Sequence, residues 1–281
     1  MILIKCVTIR IFITIIVLVF RPHVLVFGQS FGSVDLSIFC PNEKSQYKAT
    51  CYAYAVAYSA MSTMYNIQNN IVDSNEINRT YFSPGVVASY HNNTLPPLKR
   101  SYKCGKFGTA KKALEILKTN GTTLSSDYDC DCKPLSKISK ELKRSVKLYK
   151  ISNYVNLAIN NIYSTQSLNW IKDALNNKRP IIISVYQDTH MRNIKTSSIA
   201  DSLPNKKTMS IVSNHRRYGL SNHVVTILGY KDDHVSGNGY FLIKNNYRKW
   251  GDGRGFSWVP YTYILPLVHE AYYIEHIQSA S

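Results

Sequence analysis

Thr50-Cys51-Tyr52-Ala53-Tyr54-Ala55-Val56-Ala57-Tyr58 is the stretch from which the rest of the chain is read. Ala60, Met61, Met64 and Tyr65 extend it. Alanine and methionine favour helix, and the run is apolar nearly all round, so it predicts a central buried helix ended by Asn69 and Asn70. Thr50 suits the N-cap, which puts Cys51 in the first turn. Unpaired amides and the helix dipole favour thiolate over thiol there. A reactive thiolate then needs a base and a group to orient that base.

Both requirements are met late in the chain. His223 opens the β-rich run His-Val-Val-Thr-Ile-Leu-Gly-Tyr, and Asn245 closes Gly239-Tyr-Phe-Leu-Ile-Lys-Asn. Polar residues at the ends of neighbouring strands meet at one sheet edge. Phe256 to Ile264 reads as a further strand, and Gly251-Asp252-Gly253-Arg254-Gly255 as the turn before it. Upstream, a helix is expected over Thr109 to Lys118 and a short one from Ser167 to before Arg179-Pro180. Strands are expected over Val146–Val155 and Ile181–Tyr186. Residues 71–103 read as loop, 133–150 as a basic segment, and 188–222 as a long polar loop or insertion. The N-terminal half is thus mainly helical and the C-terminal half mainly antiparallel sheet.

The chain resembles the papain-like cysteine peptidases, in the divergent form of exported bacterial proteins. The resemblance rests on Thr50-Cys51-Tyr52-Ala53-Tyr54-Ala55, on Asn222-His223 with its strand, and on Lys244-Asn245-Asn246-Tyr247 followed by Lys249-Trp250-Gly251. Gly253-Arg254-Gly255-Phe256 resembles the family's glycine-rich entry to its next strand, and Cys104-Gly105 its substrate-cleft segment. It implies an α+β fold of two lobes, helical over about 40–145 and an antiparallel sheet or barrel over about 146–281. It implies peptide-bond hydrolysis with Cys51 as nucleophile, His223 as acid and base, and Asn245 as orienting residue. Gln46 would stabilise the oxyanion with the Cys51 amide, and Trp250 would shield the His–Asn pair from water. It implies no cofactor and no metal.

The departures from the family pattern are local. Gln46 stands five residues before Cys51 rather than six, and Tyr47-Lys48-Ala49 lacks the glycines that shape the family's loop, so the same turns are not expected. Tyr247 replaces a tryptophan. His223 and Asn245 follow Cys51 by 172 and 194 residues, against roughly 130–150 in the family, an excess that the 188–222 insertion explains. An inactive papain-like scaffold and a papain-like thiol amidase or acyl transferase are the alternatives.

The remaining features set the context. With 44% hydrophobic and 12% aromatic residues, the 281-residue chain is neither disordered nor collagen-like. Lys5 and Arg10 flank the apolar run Ile11–Phe20, and Val26-Phe27-Gly28 fits a leader-peptidase site, so residues 1–28 are expected to be a signal peptide. An uncleaved anchor is the alternative, though ten residues are short to span a bilayer. The product is expected to be secreted, periplasmic or at the cell surface, without a long inhibitory propeptide before Cys51. Removing Lys5, Arg10 and Arg21 lowers the charge of +17 by three, to +14. Five cysteines then remain, and a free Cys51 leaves Cys40, Cys104, Cys130 and Cys132 for two disulfides of open pairing. Lys133, Lys137, Lys140, Lys143, Arg144, Lys147 and Lys150 suggest a basic face for acidic polymers or anionic surfaces rather than a specific nucleic acid. A monomer acting on a peptide or protein substrate is expected.

Overall fold

The computed structural model describes residues 32–42, 44–100, 108–143, 146–157, 165–199, 223–233 and 238–280. All that follows concerns residues 31–281. The predicted signal peptide, Cys104, Arg144, Asn222 and most of the 188–222 insertion lie outside the described residues.

The central helix forms as the apolar run predicts. It begins as α1 (Cys51–Ala53), widens into a π-helical stretch (Tyr54–Met61) and continues as α2 (Ser62–Gln68). Every residue from Tyr52 to Met64 is buried. The Ser62 N–H reaches the Ala57 carbonyl five residues back, the bond that defines the wider coil. Around it stand α3 (Ser74–Arg79), α4 (Pro84–Thr94), α5 (Ala110–Thr119) and α6 (Leu135–Leu142).

The sheet is antiparallel, ordered β3 (Tyr154–Asn156), β8 (Val268–Ile274), β4 (Ile181–Val185), β5 (His223–Asp232), β6 (Gly239–Lys244), β7 (Phe256–Pro260). A seventh strand, β1 (Ser33–Asp35), pairs with Gly229–Lys231 of β5, on the edge that β4 leaves after Ile227. A Cβ on Gly229 would lie 2.2 Å from the Val34 carbonyl oxygen, so only glycine admits β1 there. β2 (Tyr149–Ile151) and β9 (Ile277–Ser279) make a small second sheet. The remaining helices are α7 (Thr165–Asn176), α8 (Thr189–Arg192) and α9 (Tyr261–Ile264).

Strands β4 and β5 are buried on both faces, which explains their near-continuous apolar sequences. Ile181, Ile183, Val185, Val225 and Ile227 join the β-lobe core with Ile171 and Leu175 of α7. Ile182 and Val224, on the opposite face, join the core around the central helix. The two-lobe α+β division therefore holds.

Several sequence expectations fail. The presumed loop 71–103 contains α3 and α4. Pro84 and Gly85 begin a helix rather than a turn, because proline fits the first helical position. Val86 then packs on Ile138 and Leu142 of α6, a helix within the supposed basic segment. The strand expected over 146–155 is two strands, β2 and β3, separated at Ser152-Asn153. The strand expected over 256–264 stops at Pro260, where the chain turns into α9. Two disulfides among Cys40, Cys104, Cys130 and Cys132 do not form: Cys40 and Cys130 are free thiols. Cys132 is disulfide-bonded, to none of the other described cysteines.

The turn after β6 depends on Gly251, at φ +62, whose added Cβ would lie 2.0 Å from the Phe256 carbonyl oxygen. Gly251→Ala is expected to cost about 2 kcal/mol or more, from left-handed strain plus the clash. A urea midpoint unchanged from wild type would show that this contact does not constrain the turn.

Candidate active site

The segment before Cys51 is held from three directions. The Lys44 ammonium meets the Asp129 carboxylate at 2.5 Å and lies over the Tyr81 ring. Burial raises the Asp129 pKa, but the Lys44 bond and charge, with the Ser83 and Tyr81 hydroxyls, bring it below its ordinary value. The Gln46 N–H donates to the Asn246 carbonyl at 2.8 Å, tying this loop to the turn after β6. Thr50 takes the N-cap position, yet its hydroxyl donates backwards to the Tyr47 carbonyl at 2.5 Å.

A left-handed turn does occur in this loop, contrary to the expectation drawn from its missing glycines. Lys48 adopts it, at φ +54. The cost is about 1–2 kcal/mol for a residue with a Cβ. Part of it is offset by the Gln46 side chain, whose Nε2 donates to the Lys48 carbonyl at 2.7 Å. That bond uses one of the two Nε2 hydrogens, and Gln46 Oε1 is buried without a partner.

Cys51 opens α1, half-buried. Burial pushes its thiol up, while the N–H groups of Val224, Tyr52 and Cys51 itself pull the other way. Burial prevails, so helix-start stabilisation alone does not ionise the sulfur. The Val224 N–H is the structural link, because it belongs to the residue after His223 and joins the head of β5 to the first turn of α1.

The His223 imidazole is buried, with Nε2 2.8 Å from Asn245 Oδ1. Asn245, not Asn246, is the residue on the ring. Asn246 instead reaches Ser59 Oγ at 3.3 Å. Asn245 is set by its own N–H to the Gly255 carbonyl, 2.9 Å. Its Oδ1 also accepts from the Asn246 N–H at 2.8 Å. Tyr247 stacks on the other side of the site, its ring centroid 4.5 Å from that of His223 and nearly parallel. Its hydroxyl lies 3.2 Å from His223 Nδ1. No hydrogen bond joins Cys51 and His223 among the described residues, although both sit at the junction of α1 and β5.

Trp250, the residue expected to shield the His–Asn pair, lies inside the β lobe. It is fully buried in the β-lobe core, with its indole N–H on the Met191 carbonyl at 2.8 Å. The ring stacked on His223 is that of Tyr247, two residues after Asn245, where the substitution for tryptophan was already visible. Gln187, whose Oε1 accepts from the Tyr247 hydroxyl at 2.9 Å, was not legible as a site residue. It lies just after β4, with no motif around it.

Among solved structures, the chain is similar to bromelain from Ananas comosus in complex with the E64 inhibitor, at a TM-score of 0.57 and 20% identity, covering 86% of this chain and 97% of that one. It is similar to the clostridial cysteine protease Cwp84, at 0.62 and 14%, covering 90% and 59%. Digestive procathepsin L 3 of Tenebrio molitor larval midgut aligns at 0.58 and 16%, over 89% and 72%. At such identities the likeness establishes the papain-like fold. No family model matches the chain. No curated protein matches it either.

Burial pushes the His223 pKa down to about 4 from 6.5, with the Asn245 bond opposing and Arg192 assisting. A lowered imidazole pKa makes its contribution to stability complete above pH 6.5. Stability then falls as the pH drops from 6.5 through about 4, because the unfolded chain takes up the proton first. The loss reaches about 3 kcal/mol. Urea unfolding at pH 7 and pH 4.5 should show that His223→Gln narrows the gap between the two midpoints. An equal gap in both proteins would contradict the buried neutral ring.

Proposed function

We propose that the protein is a cysteine-type peptidase that hydrolyses peptide bonds through Cys51, His223 and Asn245. The observation that carries this reading is the His223 Nε2–Asn245 Oδ1 hydrogen bond at the head of β5, beside a first-turn cysteine contacted by the next residue's amide. The papain-like fold of its structural neighbours supports it.

In the reaction, the Cys51 sulfur attacks the carbonyl carbon of the scissile bond after giving its proton to His223. The amine departs with that proton, leaving a thioester on Cys51. Water, deprotonated by His223, releases the acid and restores the thiol. Asn245 holds the ring by accepting a hydrogen bond from Nε2–H. The Cys51 N–H, in the first turn and without an acceptor four residues back, is the oxyanion donor. Gln46 would be the second donor, through the Nε2 hydrogen that the Lys48 carbonyl does not take.

The substrate is a peptide or protein, cleaved by a monomer exported after loss of residues 1–28, to the periplasm, cell surface or medium. Lys133, Lys137, Lys140, Lys143 and Lys147 are exposed and make the basic face offered to acidic polymers or anionic surfaces. The Gln46 amide held on the Lys48 carbonyl, and the lack of a Cys51–His223 hydrogen bond among the described residues, favour the second reading, a papain-like scaffold without turnover.

A peptide-library digest with the full chain separates the two. Cys51→Ala should abolish cleavage, and cleavage that persists in that variant rejects the mechanism. His223→Ala should lose about 10²–10⁴-fold in turnover, the usual worth of an acid–base group. Asn245→Ala should lose less, because it orients the ring without carrying the proton. Equal losses would contradict these roles.

A further inference from the structure

The row of the sheet level with Cys51 carries a carboxylate that the proposed chemistry does not use. On β4, Ser184 lies directly between Val224 of β5 and Glu270 of β8. Directly paired residues share a face, and Val224 belongs to the face packed around the central helix. The Ser184 hydroxyl donates to Glu270 Oε2 at 2.9 Å within that row. The next row, Tyr272, Ile182 and Thr226, is covered by the helix, because Thr226 reaches the Ala55 carbonyl. The Glu270 row stands one step nearer the head of β5, where the Val224 N–H meets the Cys51 sulfur. Two strand spacings separate Glu270 from Val224, about 10 Å.

Glu270 is half-buried, and among the described residues it takes part in no ion pair. A chain with 34 Lys and Arg against 17 Asp and Glu could readily supply a cation, yet the groups around this carboxylate are hydroxyls. Burial and then the Glu270 charge raise the Tyr186 hydroxyl, and they raise that of Tyr272 to about 12. Neutral hydroxyls hold a carboxylate in place without cancelling its charge. Such a group accepts charge-assisted hydrogen bonds from a cation and disfavours an acidic or apolar side chain set against it.

We propose that Glu270 is a specificity-determining residue, selecting substrates that carry lysine or arginine within about three residues of the scissile bond. The span is the distance from Val224 to Glu270 divided by the rise of an extended chain, about 3.3 Å per residue. The inference rests on the cysteine-peptidase reading and names the substrate class of the same site. Cys51 breaks the bond, and Glu270, on the strand beyond Ser184, receives the cationic side chain.

The test compares kcat/KM of the full chain on peptides that differ only in arginine or its uncharged isostere citrulline. The pair is placed in turn at each position flanking a cut found in the library digest. Wild type should prefer arginine at one such position by about 10–100-fold, the worth of a charged hydrogen bond. Glu270→Gln keeps an acceptor for Ser184 and removes the charge, so the arginine peptide should fall to the rate of the citrulline one. Glu270→Asp should keep part of the preference, which a purely structural role for Glu270 would not produce. Wild type without an arginine preference overturns the assignment, and so does a preference that survives in E270Q. If E270Q does not fold, or no peptide is cleaved, carbodiimide coupling of a lysine peptide to the Cys51→Ala protein decides. An amide between the peptide's lysine and Glu270, suppressed by excess arginine peptide but not by citrulline peptide, supports the assignment. Coupling to other carboxyls alone overturns it. Absent cleavage with coupling at Glu270 removes the peptidase reading and leaves the cation site. Cleavage that depends on Cys51 without arginine preference removes the role of Glu270 alone.

Discussion

Strand β5 is the constraint on which the site depends, because it serves two lobes at once. Its edges are occupied by β4 and β1 on one side and by β6 on the other, so its register is set three times over. One face fills the β-lobe core, and the other lies against the central helix. The buried Thr226 hydroxyl donates to the Ala55 carbonyl at 3.0 Å, inside the π-helical stretch. Losing that bond would strand a buried polar group, at a cost of about 1–3 kcal/mol. Two residues along, the Val224 N–H reaches the Cys51 sulfur. A slip of one residue in β5 would break both contacts and carry His223 away from Asn245.

The same enclosure that fixes the site also opposes charge in it. Burial raises the thiol and lowers the imidazole, and the few N–H groups aimed at the sulfur do not reverse it. The chain's positive charge has little influence there, since its exposed lysines on α6 stand in water and are screened over about 10 Å. On both groups burial works against the charged form.

Much of this was legible in the sequence because it is written in strong local patterns. An uninterrupted Ala/Tyr/Met run can only be a buried helix, and the runs at Ile181 and His223 are too apolar for a strand with a wet face. That His223 and Asn245 meet follows from two polar residues at the ends of neighbouring strands, whereas the order Cys51, His223, Asn245 was read from the resemblance to papain-like peptidases. What was missed has weaker local signals. α4 carries Gly85, Ser89, Asn92 and Asn93, and its helix forms because Val86, Val87 and Ala88 find partners far away in sequence. α6 shows its apolar face only at Leu135, Ile138 and Leu142, among lysines that dominate the composition. The fates of Gln46 and Trp250 were not readable either, because a side chain's choice of partner is decided by backbone torsions. Lys48 in the left-handed region exposes the carbonyl that captures Gln46. The turn around Gly251 directs the indole at position 250 into the core.

The most direct measurement is acid quenching of the full chain during turnover of an activated ester or peptide, followed by mass analysis of its fragments. The account predicts one acyl group, carried as a thioester by the fragment containing Cys51, and none when His223 is replaced. An acyl group on another residue, or its accumulation on Cys51 regardless of His223, would contradict it.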